Sequence, residues 1–362
     1  MMFLVVAAML VVPAQAATVE IEMTGTVEWN FARSYPLTEV NPGDPVTWYW
    51  EVDSEVFTNS MNFNTRGYHV DAPGAMLTMG DVTIGLAEDP YGRIPYFVLR
   101  ESDPVADGFF VSQGSTDWPF PGLTTEVYGF CGPFEAHLDI SYTGDTLQTL
   151  DILDALGTYA YDGLTRFYTN LVDCGFEVIG IDFSRLEIRL APVEVPFDVK
   201  PGSCPNPLNT RNHGVLPTAI MGTGDLDVTT IDPASLRLAG IPALRSGYED
   251  VGAAFVPYLG KSDCNMDCNE DMPDGWMDLT AKFDSQAIIA ALGGVADGEC
   301  VAVPLTGNFK EEFGGGPIIG EDVMVILDRG FSLMPIGGDR LSPEDPGFTD
   351  LGGGSNQLDR AR

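Results

Sequence analysis

A chain of 362 residues with 53 acidic and 18 basic side chains carries a formal net charge of −35. That excess repels phosphate, which excludes nucleic acid and anionic lipid surfaces as partners and suits solubility and cation binding. The length accommodates two domains with cores of their own.

The first residues, MMFLVVAAMLVVPAQA, form an apolar run ending in the small-x-small triplet Ala14, Gln15 and Ala16. This is the form of a secretory signal peptide over residues 1–16, cleaved after Ala16, although no Lys or Arg precedes the run. The run is shorter than the roughly 20 residues that span a bilayer, and no later segment is long and apolar enough to anchor the chain. The expected location is secreted, extracellular or periplasmic. Six cysteines fit an oxidising compartment. If each domain keeps its own bridges, Cys131 pairs with Cys174, while Cys204, Cys264, Cys268 and Cys300 allow three connectivities.

Residues 17–192 read as short strands. Val19, Ile21 and Met23 alternate with Glu20 and Glu22, which places one face on a core and one in water. The turn tetrapeptide Asn41-Pro42-Gly43-Asp44 leads into a β-rich run over 46–52, with further strands predicted over 75–84, 96–100, 109–112, 126–130, 136–142 and 177–190. Leu147, Leu150, Leu153 and Leu156 fall at helical spacing before Gly157 and predict a helix over 146–156. Pro192 and Pro196 mark a semi-extended linker. Strand signals resume over 197–200, 215–221, 236–238, 279–283, 300–306 and 322–327. A helix over 285–292 is capped by Asp284 or Ser285 and stopped by Gly293, with Ile288, Ile289 and Leu292 inward. The expected fold is therefore all-β: two antiparallel β-sandwiches of jelly-roll or immunoglobulin-like form over 17–192 and 193–330, with one or two short helices. Residues 331–362 are Gly- and Pro-rich with few apolar side chains, and they read as a disordered tail.

Residues 263–278, DCNMDCNEDMPDGWMD, concentrate six carboxylates and two asparagines. Calcium takes six to eight oxygens, so such a loop is a natural ligand source. Asp267, Asn269 and Asp271 stand at the spacing of the first three EF-hand ligands, with Asp278 at the twelfth position. Met272 occupies the place where that loop needs glycine, and Asp278 replaces the usual glutamate. A second ligand set combines Asp271, Asp274 and Asp278 with Asp250. Cys264 and Cys268, at CxxxC spacing, offer zinc as a third reading, against which export favours disulfides. An ion-free loop pinned by disulfides is the structural alternative.

The segment FDVKPGSCPNPLNTRNHGVLPTAIMGTGDLDVTTIDPASLRLAG, the run YEDV at 248–251 and the run DGWMDL at 274–279 resemble a module that recurs at the C-terminal side of exported bacterial proteins. The likeness covers about residues 196–328. In shorter members the Glu-Asp-Val step runs into a loop like the calcium loop of dockerins and thrombospondin type 3 repeats. The resemblance thus implies Asp250, Asp274 and Asp278 as ligands and Gly275 as the turn residue. This chain departs from that pattern by inserting residues 252–272. Residues 18–192 are similar in composition to N-terminal sandwich regions of bacterial proteins exported with PEP-CTERM-type sorting signals, but no such signal is seen here.

No Gly-x-Ser-x-Gly elbow, His-Glu-x-x-His or phosphate-binding glycine loop occurs, and His69, His137 and His213 sit in no recognisable motif. Trp48 and Trp50 share one face of a predicted strand and read as core, whereas Trp118, in a predicted loop, is a candidate for stacking on a sugar. Trp276 is expected to cover the acidic loop. These observations lead to an exported, non-enzymatic protein stabilised by structural Ca2+, acting in surface attachment or recognition of a glycan or other cell-surface polymer. The alternative is a secreted polysaccharide-active hydrolase or lyase with paired carboxylates on the first sandwich.

Overall fold

A computed structural model describes residues 16–89, 91–102, 106–117, 122–143 and 146–328. The apolar leader up to residue 15, Trp118 and the tail from 329 lie outside the described residues. The fold is all-β with one short α-helix.

The first module contains β1 (Thr18–Asn30), β2 (Pro45–Asn59), β3 (Thr65–Val70), β4 (Met76–Met79), β5 (Val82–Gly85), β6 (Pro95–Arg100), β7 (Ala106–Gln113), β8 (Leu123–Tyr128), β9 (Pro133–Thr143), β10 (Gly157–Ala160), β11 (Leu164–Asp173) and β12 (Phe176–Leu190). Period-two alternation forms β1, which buries Val19, Ile21, Met23 and Val27 and turns Glu20 and Glu22 outward. The predicted strand over 75–84 is a hairpin, β4 and β5, turned at Gly80 with φ 59°. Strands β3, β10 and β11 carry weaker patterns and were not anticipated.

The expected sandwich is instead a closed barrel. Strands β1, β2, β3, β6, β7, β9, β11 and β12 each pair antiparallel with the next, and β1 pairs with β12 to close the ring of eight. Alternation tells which face of each strand is buried, but not whether the buried faces belong to two sheets or to one sheet curled on itself. The interior is filled. Ile21 lies opposite Trp50 and Met23 opposite Trp48. The two indoles meet edge-on with centroids 5.1 Å apart, and Trp50 meets Phe97 at 5.5 Å. Both tryptophans are thus core residues.

Residues 146–156 do not form the predicted helix. Their side chains capture the backbone donors a helix would use: Thr149 Oγ1 accepts from Asp151 N at 3.0 Å, and Asp151 Oδ1 accepts from Leu153 N at 3.0 Å. The resulting turns lay Leu147, Ile152 and Ala155 into the barrel core. Tyr68 pins them there, its hydroxyl donating to Leu150 O and accepting from Ile152 N, each at 2.8 Å. Loop 31–44 contributes Leu37 and Val40 to the same core, with Asn30 Nδ2 donating to both their carbonyls.

The second module contains β13 (Val193–Glu194), β14 (Phe197–Val199), β15 (Pro207–Asn209), β16 (Val215–Ile220), β17 (Ile231–Leu238), β18 (Ile241–Pro242), β19 (Arg245–Glu249), β20 (Asp278–Asp284), α1 (Ser285–Leu292), β21 (Cys300–Phe309) and β22 (Pro317–Leu327). One sheet has the order β13-β22-β21-β17-β18, with β15 also on β22, and the other the order β14-β16-β20-β19. Both contribute to a core that includes Phe197, Leu279, Phe283, Val303 and Met324. Helix α1 has the predicted bounds, with Asp284 accepting from Ala287 N at 2.9 Å and Gly293 in positive φ past its end. Ile288 is fully buried, and Ile289 and Leu292 are partly so.

Ile152→Ala is expected to lower the unfolding free energy by about 3 kcal/mol, and Tyr68→Phe by about 1 kcal/mol, when each is compared with wild type by urea denaturation. Unchanged midpoints for both would show that residues 146–156 do not seal the barrel.

Candidate functional site

Strand β14 is an edge: it pairs with β16 on one side and, among the described residues, with no strand on the other. An edge buried between two sheets leaves backbone donors and acceptors that need partners. Asp322, on β22, accepts from Val199 N through Oδ2 at 2.7 Å. Lys261 donates from Nζ to Phe197 O at 3.3 Å and to Asp322 Oδ1 at 3.2 Å. Asn206, fully buried, donates from Nδ2 to Asp322 Oδ2 at 3.0 Å. A Cβ at position 320 would stand 2.8 Å from Phe197 Cβ and 2.9 Å from Val195 O, so Gly320 is what lets β22 approach β14 this closely.

Lys261 is delivered by the segment 252–272. Two disulfides hold that segment down, Cys204–Cys268 and Cys264–Cys300, while Cys131–Cys174 ties the first module as expected. Cys264 and Cys268 bond to different partners, so their spacing makes no zinc site. Lys261 N also donates to Glu321 Oε1 at 2.7 Å, and Glu321 N to Tyr258 O at 3.1 Å, which seats this segment along β22.

Asp198 completes a buried cluster, lining a small cavity with Met221, Phe255, Lys261, Asn269 and Asp322. Burial, and then the negative charge of Asp322, push the Asp198 carboxyl up to about 8. Burial also raises Asp322, against the pull of Lys261 and the Val199 amide. None of Lys261, Asp198, Asp322 and Asn206 was singled out from the sequence. One signal was available: Lys261 is the only basic residue between Arg245 and Lys282.

The predicted calcium ligands divide into two groups. Asp250 and Asp278 lie close enough for their charges to oppose each other. Asp278, fully buried, accepts from Gly222 N at 2.9 Å, Val251 N at 2.7 Å and Gly252 N at 3.3 Å. Its carboxyl is raised by burial despite those donors. Asp250 Oδ2 accepts from Gly275 N at 2.9 Å, while its Oδ1 is buried with no hydrogen-bond partner. Asp274 lies at the turn, its Oδ1 accepting from Trp276 N at 2.9 Å, but its carboxylate does not gather with those of Asp250 and Asp278 to within 4.8 Å of one another. Asp267 points elsewhere, its Oδ2 accepting from Ser262 N and Asp263 N, which hold that carboxyl low. Asn269 donates to Ala253 O at 3.2 Å, and Asp271 is exposed. Trp276 packs beside Gly222 and Gly224 and stays half exposed.

In the first module, Asp139 on the outer face of β9 is buried against Arg100 at 3.1 Å, and His137 is buried 3.5 Å from Glu135. One end of the barrel presents aromatics instead. Phe130 and Tyr128 stand on the β8–β9 turn and Phe176 beside the β11–β12 turn, and all three are exposed, Phe130 by 94%. Cys131–Cys174 joins these turns, and Asp173 accepts from Phe130 N at 2.8 Å and Cys131 N at 3.0 Å. Cys174 and Gly175 both take positive φ, which suits a two-residue hairpin turn. Cys131, Asp173 and Cys174 crowd together, but both sulfurs are committed to the disulfide and hold no metal.

Asp198 titrates from an ordinary value of 3.8 in the unfolded chain to about 8 in the folded one. The stability it confers is therefore complete below pH 4 and is lost as the pH rises through 8. Denaturation midpoints between pH 5 and 9 should fall more steeply for wild type than for Asp198→Asn, and parallel slopes would contradict the assignment.

Three disulfides point to an oxidising, extracellular or periplasmic compartment, and no helix of the described residues is long and apolar enough to cross a membrane. No protein-family model, curated protein or solved structure matches this chain.

Proposed function

We propose that the chain is an exported, non-enzymatic surface protein of bacterial type that recognises a glycan through the aromatic end of its first module. The observation that carries the reading is the exposure of Phe130, Tyr128 and Phe176 on turns locked together by Cys131–Cys174. Large rings left in water on a rigid support are a binding surface more often than a packing fault, and flat apolar rings stack on the C–H faces of sugars. A net charge of −35 disfavours acidic polymers, so the ligand is an uncharged glycan. Such a surface serves attachment, and the second module acts as its support.

In this reading Ca2+ stabilises the second module through Asp250, Asp274 and Asp278. The unpaired buried oxygen of Asp250 beside Asp278 supports it, because a cation would satisfy the first and relieve the repulsion between the two. The residues supply hard oxygen donors of the type calcium takes.

Wild type is expected to bind at least one uncharged glycan on a panel and to promote adhesion of whole cells. The double variant Phe130→Ala/Phe176→Ala should bind at least about tenfold more weakly with an unchanged melting temperature, a loss of about 1.4 kcal/mol. If wild type bound nothing on the panel and caused no adhesion, the reading would fall.

For calcium, melting with saturating ion should exceed melting with chelator by about 2–3 kcal/mol of stability at a hundredfold excess over Kd. Asp274→Ala, at an exposed position, should abolish that difference and leave the chelated curve in place. Asp278→Ala should lower both curves, since it leaves three amide donors unpaired. Identical wild-type curves with ion and chelator would remove calcium from the account.

A further inference from the structure

We propose that Lys261 and Asp322 join through an intramolecular isopeptide bond, formed by the folded chain itself with Asp198 as proton relay. The inference stands apart from the glycan and calcium readings, because it rests on other residues.

The geometry is that of a reaction poised to occur. Lys261 Nζ stands 3.2 Å from Asp322 Oδ1, an ion-pair contact that holds the amine beside the carboxyl group it would attack, and both residues are at least 96% buried. Nucleophile and electrophile are held on separate elements, each fixed by its own backbone contacts. Asp322 Oδ2 receives donors from Val199 N and Asn206 Nδ2, so the oxygen on which negative charge would develop already faces two donors. Asp198 lies within hydrogen-bonding reach of Asp322, in a cavity walled by Phe197, Phe255 and Met221. Its raised pKa keeps it available as a neutral acid near pH 7, which is what a relay of this kind needs.

The steps balance without any added reagent. Asp198 passes its proton to Asp322 Oδ1, and the Lys261 ammonium returns one to Asp198, leaving a neutral amine and a neutral carboxyl. The Nζ lone pair attacks Asp322 Cγ, and the C=O π pair moves onto Oδ2, where the two donors hold it. Collapse of that oxyanion re-forms the C=O bond and breaks the Cγ–Oδ1 bond. The leaving hydroxyl takes the Asp198 proton and departs as water, and Asp198 recovers a proton from the nitrogen. The net change is one amide formed, one water lost and Asp198 unchanged. The product removes two opposite charges from a dry site, where an ion pair recovers its desolvation cost poorly. It also fastens the segment 252–272 to β22 beside the Cys264–Cys300 bridge.

Peptide mapping of the folded protein, reduced, alkylated and digested with trypsin, tests this directly. Trypsin should fail to cut after Lys261, so that the peptide of residues 246–282 appears joined to that of residues 311–329, one water lighter than their sum. Asp322→Ala and Asp198→Asn should restore cutting after Lys261 and give separate peptides at full mass. Should either variant fail to fold, the wild-type map decides alone. Wild-type peptides found separate would overturn the proposal. So would a joined product one ammonia lighter, which would place the link at Asn206, and a link that persists in folded Asp198→Asn would overturn the relay.

Discussion

The second module depends on how the free edge of β14 is closed. A three-residue strand between two sheets has backbone groups that neither solvent nor another strand can satisfy. Asp322 accepts from the Val199 amide and Lys261 donates to the Phe197 carbonyl, so a charged pair replaces a missing strand. Until an amide joins them, the two charges are held in the interior because each is hydrogen-bonded and each neutralises the other. Once Lys261 must be buried, the segment carrying it must be held in place. The two disulfides and the Glu321–Lys261 and Tyr258–Glu321 backbone contacts do so. The acidic character of this segment follows in part from this role. Asp267 caps the backbone just after Lys261.

The first module reaches closure by a different route. Pairing β1 with both β2 and β12 leaves no open edge in the ring, and the interior is packed with indole, phenyl and aliphatic side chains. The charges of β1 and β12 face outward. Glu20 meets Arg189 at 2.8 Å and Glu22 meets Arg185 at 3.5 Å across β1 and β12, pairs that are partly exposed and contribute little to stability. With the interior filled, the proposed recognition surface lies on the outside and the loops, where the rings on the disulfide-linked turns are exposed.

Much of this architecture was legible in the sequence, and the parts that were not have specific reasons. The alternation in β1 and the cap and stop of α1 are local signals that tertiary packing leaves intact, and both appear where expected. Barrel closure is not local: the pairing of Ile21 with Trp50 and with Ile188 is a property of three strands far apart in the chain. The leucine spacing over 146–156 suggested a helix, but Thr149 and Asp151 compete for the same backbone donors, and the barrel rewards Ile152 for pointing inward. The acidic stretch drew attention by charge density. Its exposed carboxylates are conspicuous in sequence, whereas Asp198 and Asp322 are scattered among apolar strand residues and become a cluster only when the sheets meet.

The central claim is that Asp322 and Lys261 seal the β14 edge, and amide hydrogen exchange at Val199 tests it most directly. In the wild-type protein that amide should exchange as slowly as those of the paired strands β16 and β20, despite having no strand partner, and Asp322→Ala should speed its exchange far more than theirs. Exchange at Val199 as fast as in an exposed loop of the wild-type protein would contradict the account.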